Sequence, residues 1–155
     1  MATDHDPTGE RPAVQPARTG GVRPSVLAAI ALGGALGGSA RYGLAQAIHV
    51  SHDTFPWATF VTNVSGSFVL GVVMALILER FPPTRYLRPF IATGFLGAYT
   101  TYSTFAVETD LLVKQGHAVM GVGYAVASLV TGFAAVWAGI SIARTVPMPL
   151  RGGKP

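Results

Sequence analysis

Four long apolar runs occupy the middle of this 155-residue chain, and they limit its possible folds more than any other feature. Val26 to Ile48 carries one charge, Arg41; Trp57 to Leu78 and Ala118 to Ala143 carry none; the run from Pro89 to about Val107 is closed by Glu108 and Asp110. A helix crosses the hydrocarbon core of a bilayer with about 20 apolar residues, and in that medium every backbone N–H and C=O must find its partner within the protein. Each run therefore predicts one spanning helix. Composition agrees, because charged residues are 12% of the chain, against roughly 25% in soluble domains.

The remaining segments follow from these spans. Residues 1–24, rich in Pro, Arg, Thr and Gly without apolar periodicity, read as a disordered cytoplasmic tail; 25–143 read as a four-helix transmembrane domain and 144–155 as a second cytoplasmic tail. Ala45-Gln46-Ala47 has the form of a signal-peptide cleavage site, but the first run exceeds a typical signal core and holds an arginine near its end, which favours a retained span. Phe55-Pro56-Trp57 opens the second span with interfacial aromatics and a first-turn proline. Four spans put both termini on one side, together with Arg11, Arg18, Arg23, Arg80, Arg85, Arg88, Arg144, Arg151 and Lys154. Lys114 lies opposite and Arg41 within the membrane. The positive-inside rule then places both ends in the cytoplasm of a multi-pass plasma-membrane protein. The formal charge of +4 sits in tails and one short loop, a distribution that argues against nucleic acid as a partner.

The third span is the irregular one. Gly94 and Gly97 precede a cluster in which four of the five positions from Thr100 to Thr104 are Ser or Thr, an arrangement that predicts a helix broken near its middle. Irregular backbone is tolerated at membrane depth only where it is buried in protein or lines a polar cavity, so a small polar species is expected to bind or pass here. Elsewhere small residues recur four apart: Gly33 with Gly37 and Gly34 with Gly38 in the first span, Thr59, Asn63, Ser67 and Gly71 in the second, Ser128 with Gly132 and Ala135 with Gly139 in the fourth. Such stripes let helix backbones approach closely, and a four-helix unit this small encloses so little volume that a dimer is expected.

Several polar residues have two readings. Asn63, at mid-span, either makes an interhelical hydrogen bond or lines the site. Tyr102 and Phe105, three apart, either pack in the core or turn positive ring edges toward an anion. Tyr124 either anchors at the interface or joins that path. Arg41 either snorkels or raises the anion concentration of a vestibule. No Asp or Glu falls inside the four runs as bounded here, and no His or Cys either. That removes the groups on which proton-coupled exporters, cation channels and membrane hydrolases rely. Donors without acceptor charges suit a small anion.

At these residues the chain resembles the Fluc (CrcB) family of fluoride channels. The resemblance rests on Gly33-Gly34-Ala-Leu-Gly37-Gly38-Ser-Ala-Arg41-Tyr42, on Asn63-Val-Ser-Gly66-Ser-Phe68-Val-Leu-Gly71 and on Gly94-Phe95-Leu-Gly97-Ala-Tyr-Thr100-Thr101-Tyr102-Ser103-Thr104-Phe105. It implies a non-enzymatic channel that exports fluoride passively, built as an antiparallel, dual-topology-type dimer with a structural Na⁺ at its centre. By that resemblance Asn63, Tyr102, Ser103, Thr104, Phe105 and Tyr124 fall on the fluoride path, and the backbone carbonyls of Gly97 and Thr100 on the sodium. The family usually has phenylalanine at the position of Tyr102. A homodimer of inverted subunits should show little charge bias, whereas this chain shows nine basic residues against one; the partner is therefore either a second copy or an oppositely biased paralogue. A small multidrug-type exporter should carry a glutamate in the first span, where this chain has only Arg41. A noncatalytic membrane scaffold would not depend on Asn63.

Overall fold

The computed structural model describes residues 23–48, 54–79 and 85–145. Their regular structure is helical: α1 (Pro24–Ala47), α2 (Trp57–Glu79), a π-helix π1 (Pro89–Leu96), the single turn α3 (Gly97–Tyr99), α4 (Tyr102–Lys114) and α5 (Ala118–Thr145). Most of both expected tails, and Arg80 in the second loop, lie outside the described residues. By length and composition α5, and α2 over Trp57–Ile77, qualify as membrane-crossing helices. The glycines and Arg41 dilute α1, and the third run is divided.

Pro24 starts α1 at a position where its missing N–H costs nothing. The glycine stripe then explains the main contact of this helix. A Cβ on Gly33 would collide with the Phe90 carbonyl, and one on Gly37 with the Phe95 carbonyl. Gly94 answers from the other side, where its added Cβ would meet the Ile30 carbonyl. Hence α1 and π1 touch backbone to backbone. The same device joins α2 to α5, since Gly71 faces the Val136 carbonyl and Gly139 the Phe68 carbonyl. The third run passes between these pairs: π1 and α3 pack on α1, whereas α4 packs on α5.

α4 continues through Glu108 and Asp110 to Lys114, well past the expected end near Val107. Two contacts account for the extension. Asp110 pairs with Lys114 one turn on, at 2.7 Å, and Glu108 is held by neighbours on α2 and α5. Gly116, at φ 89°, then takes the left-handed turn that stops the helix.

Candidate functional site

The site forms where the third run loses its helix. Thr100 (φ −78°, ψ 158°) and Thr101 (φ −147°, ψ 119°) are extended, so the peptide groups between α3 and α4 leave the helical ladder. Asn63 of α2 takes up the released N–H of Thr101 and also reaches its carbonyl. Its Oδ1 accepts from the Thr101 N–H at 2.9 Å, and its Nδ2 donates to the Thr101 carbonyl at 2.9 Å. Thr101 in turn caps α4, its Oγ1 accepting from the Thr104 N–H at 3.2 Å. Two rungs of the ladder are thereby replaced by bonds to side chains.

Which carbonyls this leaves open follows from the register. In a continued helix Thr101 N–H would reach the Gly97 carbonyl and Thr104 N–H the Thr100 carbonyl. Both donors are diverted, one to Asn63 and the other to Thr101 Oγ1. Gly97 and Thr100 are thus among the residues, with Ala98 and Tyr99 in the same register, whose carbonyls lose their helical donors.

Two further contacts seat the break. Ser65 Oγ lies 2.9 Å from the Tyr99 hydroxyl, and the Tyr99 ring stacks on Phe95 with centroids 5.9 Å apart. Gly66 makes room beside them, because a Cβ there would run into the Thr100 methyl and approach the Tyr99 ring. Asn63, Ser65 and Gly66, nearly consecutive on α2, therefore shape residues Tyr99 to Thr101 together.

A cavity of about 370 Å³ opens beside the break. Asn63, Ser67, Thr100, Thr101 and Ser128 supply its polar wall, and Tyr102 and Phe105 its aromatic one. Ser128 Oγ is buried there without a hydrogen-bond partner. Tyr102 and Phe105 are 6.0 Å apart, and Phe105 meets Tyr124 at 5.2 Å, so the three rings form one series. Tyr102 is 81% exposed on the subunit, whereas Tyr124 is fully buried. Ser103 and Thr104 are exposed on the first turn of α4, each with its hydroxyl bonded to Thr101 Oγ1. Arg41 is half-buried on α1 and does not line the cavity.

At the far end of the ring series stands Glu108. Thr59 Oγ1 donates to its Oε1 at 2.8 Å and the Tyr124 hydroxyl to its Oε2 at 2.9 Å. Phe55 closes the group with an edge-on contact to Tyr124 at 5.3 Å. Tyr124 is therefore a buried donor to a carboxylate, not an interfacial anchor.

Residues 28–140 match the protein family described as CrcB-like protein, Camphor Resistance (CrcB). The chain belongs to the CrcB family. It is 50% identical over 123 residues to a Streptomyces avermitilis protein named fluoride-specific ion channel FluC 3, a stretch that covers 79% of this chain and 60% of that relative. It is 40% identical over 129 residues to fluoride-specific ion channel FluC 2 of Nocardia farcinica, covering 83% and 92%, and 45% identical over 116 residues to a fluoride-specific ion channel FluC of Solibacter usitatus, covering 74% and 95%. The chain thus spans less than two thirds of the first of these relatives and nearly all of the other two. As a CrcB-family chain it is a membrane protein.

The structure brings Asn63, Thr100, Tyr102, Phe105 and Gly97 to one cavity, with Tyr124 one ring further on. It adds Ser65, Tyr99, Thr59, Phe55 and Glu108. Glu108 was legible only as the residue closing the third run; the signal for its role was the match of one carboxylate to two hydroxyl residues, Thr59 and Tyr124, at similar depth on neighbouring helices.

Proposed function

We propose that this chain is a subunit of a fluoride-selective channel, not an enzyme, that lets fluoride leave the cytoplasm passively and so lowers its concentration there. The observation that carries the reading is the broken third segment opening onto a cavity rich in donors. A narrow passive pore has to replace the water of a strongly hydrated anion with closely spaced donors. Here these are the Ser128 hydroxyl, the second N–H of the Asn63 amide, which Thr101 does not use, and the ring edges of Tyr102 and Phe105, with Ser103 and Thr104, outside the cavity lining, continuing the path along the exposed first turn of α4. Tyr124 extends the ring series toward Glu108. Chloride, larger and a weaker acceptor, gains less from the same donors.

In this reading four helical segments cross the plasma membrane, the third of them in two pieces, and both termini are cytoplasmic. Two subunits in opposite orientations cover each other's open cavities and the exposed Tyr102. The carbonyls of Gly97 and Thr100 fit a structural Na⁺, since both have lost their helical donors; two subunits would offer four such oxygens, and the ion would fix the ends of the broken segment. The one-sided distribution of basic residues favours an oppositely biased paralogue over a second copy as partner. The match of two Streptomyces avermitilis proteins, named FluC 3 and FluC 2, fits genomes that hold more than one member.

The test is fluoride efflux from liposomes reconstituted with purified protein, with and without a paralogue, read by a fluoride electrode beside a chloride control. Fluoride should leave and chloride should stay. Equal movement of both ions refutes the selectivity, and full flux from this chain alone refutes obligate pairing.

A further inference from the structure

The end of the subunit at which α1 and π1 both begin carries a patch that ion conduction does not use. The Ser25 and Tyr86 hydroxyls lie 3.4 Å apart, which ties the two starts together. Arg23 stands two residues before Ser25, and Arg85 and Arg88 flank Tyr86, so three guanidinium groups from two chain segments gather at one membrane face. All three are exposed, and among the described residues none is in an ion pair. Neither α1 nor π1 has an acidic residue in its first turn. Next to the charges, apolar surface is open at Leu27 (52% exposed), Tyr86 (47%) and Leu87 (37%).

We propose that this patch is a binding site for an anionic phospholipid, with the headgroup phosphate and its net negative charge held by Arg23, Arg85 and Arg88 and an acyl chain laid along Leu27 and Leu87. The two halves of the patch select the ligand. Guanidinium forks match phosphate oxygens and remain charged at any physiological pH, while exposed leucines give a soluble phosphate nothing to bind. A zwitterionic lipid covers the leucines but leaves the positive field unanswered. Basic pockets between membrane helices hold anionic headgroups by this division of labour, and Tyr86, just before the apolar segment that begins at Pro89, offers the kind of amphipathic ring favoured at a membrane interface.

Native mass spectrometry of the full-length protein in detergent tests this, with phosphatidylglycerol, phosphatidylcholine and soluble glycerol 3-phosphate as separate ligands. The wild type should retain phosphatidylglycerol over phosphatidylcholine by roughly a hundredfold, and the ratio should fall by roughly fivefold for each arginine replaced by glutamine. Arg85→Lys, which keeps the charge, should hold most of the preference. The single variants Arg85→Gln and Arg88→Gln give the same reading if the triple variant does not fold. Equal retention of the two lipids by the wild type, or an unchanged ratio in the glutamine variants, overturns the site. Displacement of phosphatidylglycerol by equimolar glycerol 3-phosphate overturns the lipid as its occupant. Because retention is read on solubilised protein, neither insertion orientation nor ion flux enters the result.

Discussion

Replacing Asn63 with alanine removes both hydrogen bonds that hold Thr101 across from α2. Interhelical bonds of this kind in membrane proteins contribute about 0.6–2 kcal/mol each, so the pair amounts to about 1–4 kcal/mol. The loss falls on the Thr101 N–H, which has no helical alternative because Thr101 is extended, while the Thr101 carbonyl, at the N-cap of α4, still serves the first turn of that helix. Asn63→Ala should therefore lower the unfolding free energy of the purified protein by that amount and reduce fluoride efflux from proteoliposomes to background. Asn63→Asp sharpens the argument. An ionised carboxylate still accepts from the Thr101 N–H, but it turns a second oxygen toward the Thr101 carbonyl, whereas the protonated acid restores the missing donor. The stabilising form is the protonated one, so its contribution is present at low pH and is lost as pH rises through the carboxyl's folded pKa. Melting temperature in detergent is the proper readout, since fluoride itself becomes HF in acid. Asn63→Asp should regain stability on acidification relative to Asn63→Ala. Wild-type flux and stability in Asn63→Ala, or an Asn63→Asp variant that gains nothing in acid, would refute the bidentate role.

Gly33→Ala and Gly139→Ala each press a methyl group into a facing carbonyl and should cost about 1–3 kcal/mol, while Gly38→Ala, with nothing within 4 Å in the subunit, should leave subunit stability unchanged in thermal melts. Tyr102→Phe should keep stability within about 0.5 kcal/mol, as exposed positions do, yet alter fluoride flux by removing one donor from the path. Ser65→Ala and Tyr99→Phe remove the same contact, so flux in the double variant should fall no further than in either single one; additive losses would show that the two residues act separately. Tyr124→Phe deprives Glu108 of one of two donors and should cost about 1.5–3 kcal/mol in denaturant unfolding, the range for hydrogen bonds to charged groups.

Much of this arrangement could be read from the residues, for identifiable reasons. Spacing by fours among small residues is geometric, so the stripes of α1, α2 and α5 announced the contacts that Gly33, Gly71 and Gly139 make. The cluster Thr100 to Thr104 pointed to irregular backbone because so many side chains there compete for main-chain groups. What the residues did not reveal was which groups pair. Asn63 left two readings open, and the geometry combines them: the amide spends two atoms on Thr101 and still borders the cavity. Glu108 was assigned to the end of a span by its charge alone, although two hydroxyls from other helices hold it within α4. Pairings between residues 16 to 49 positions apart leave no periodic trace in a single sequence.

The way the third run is shared between neighbours has one more outcome. Its first half is fastened to α1 and its second half to α5, while α2 reaches both through Asn63, Ser65 and Gly66. Among the described residues the third run is accordingly the segment divided between the two packs, and its helix is interrupted at Thr100 and Thr101. Any sliding of one pack against the other, imposed by a thinner bilayer or a different partner, would act on those two residues, so the proposed ion path lies where the molecule would register such strain first.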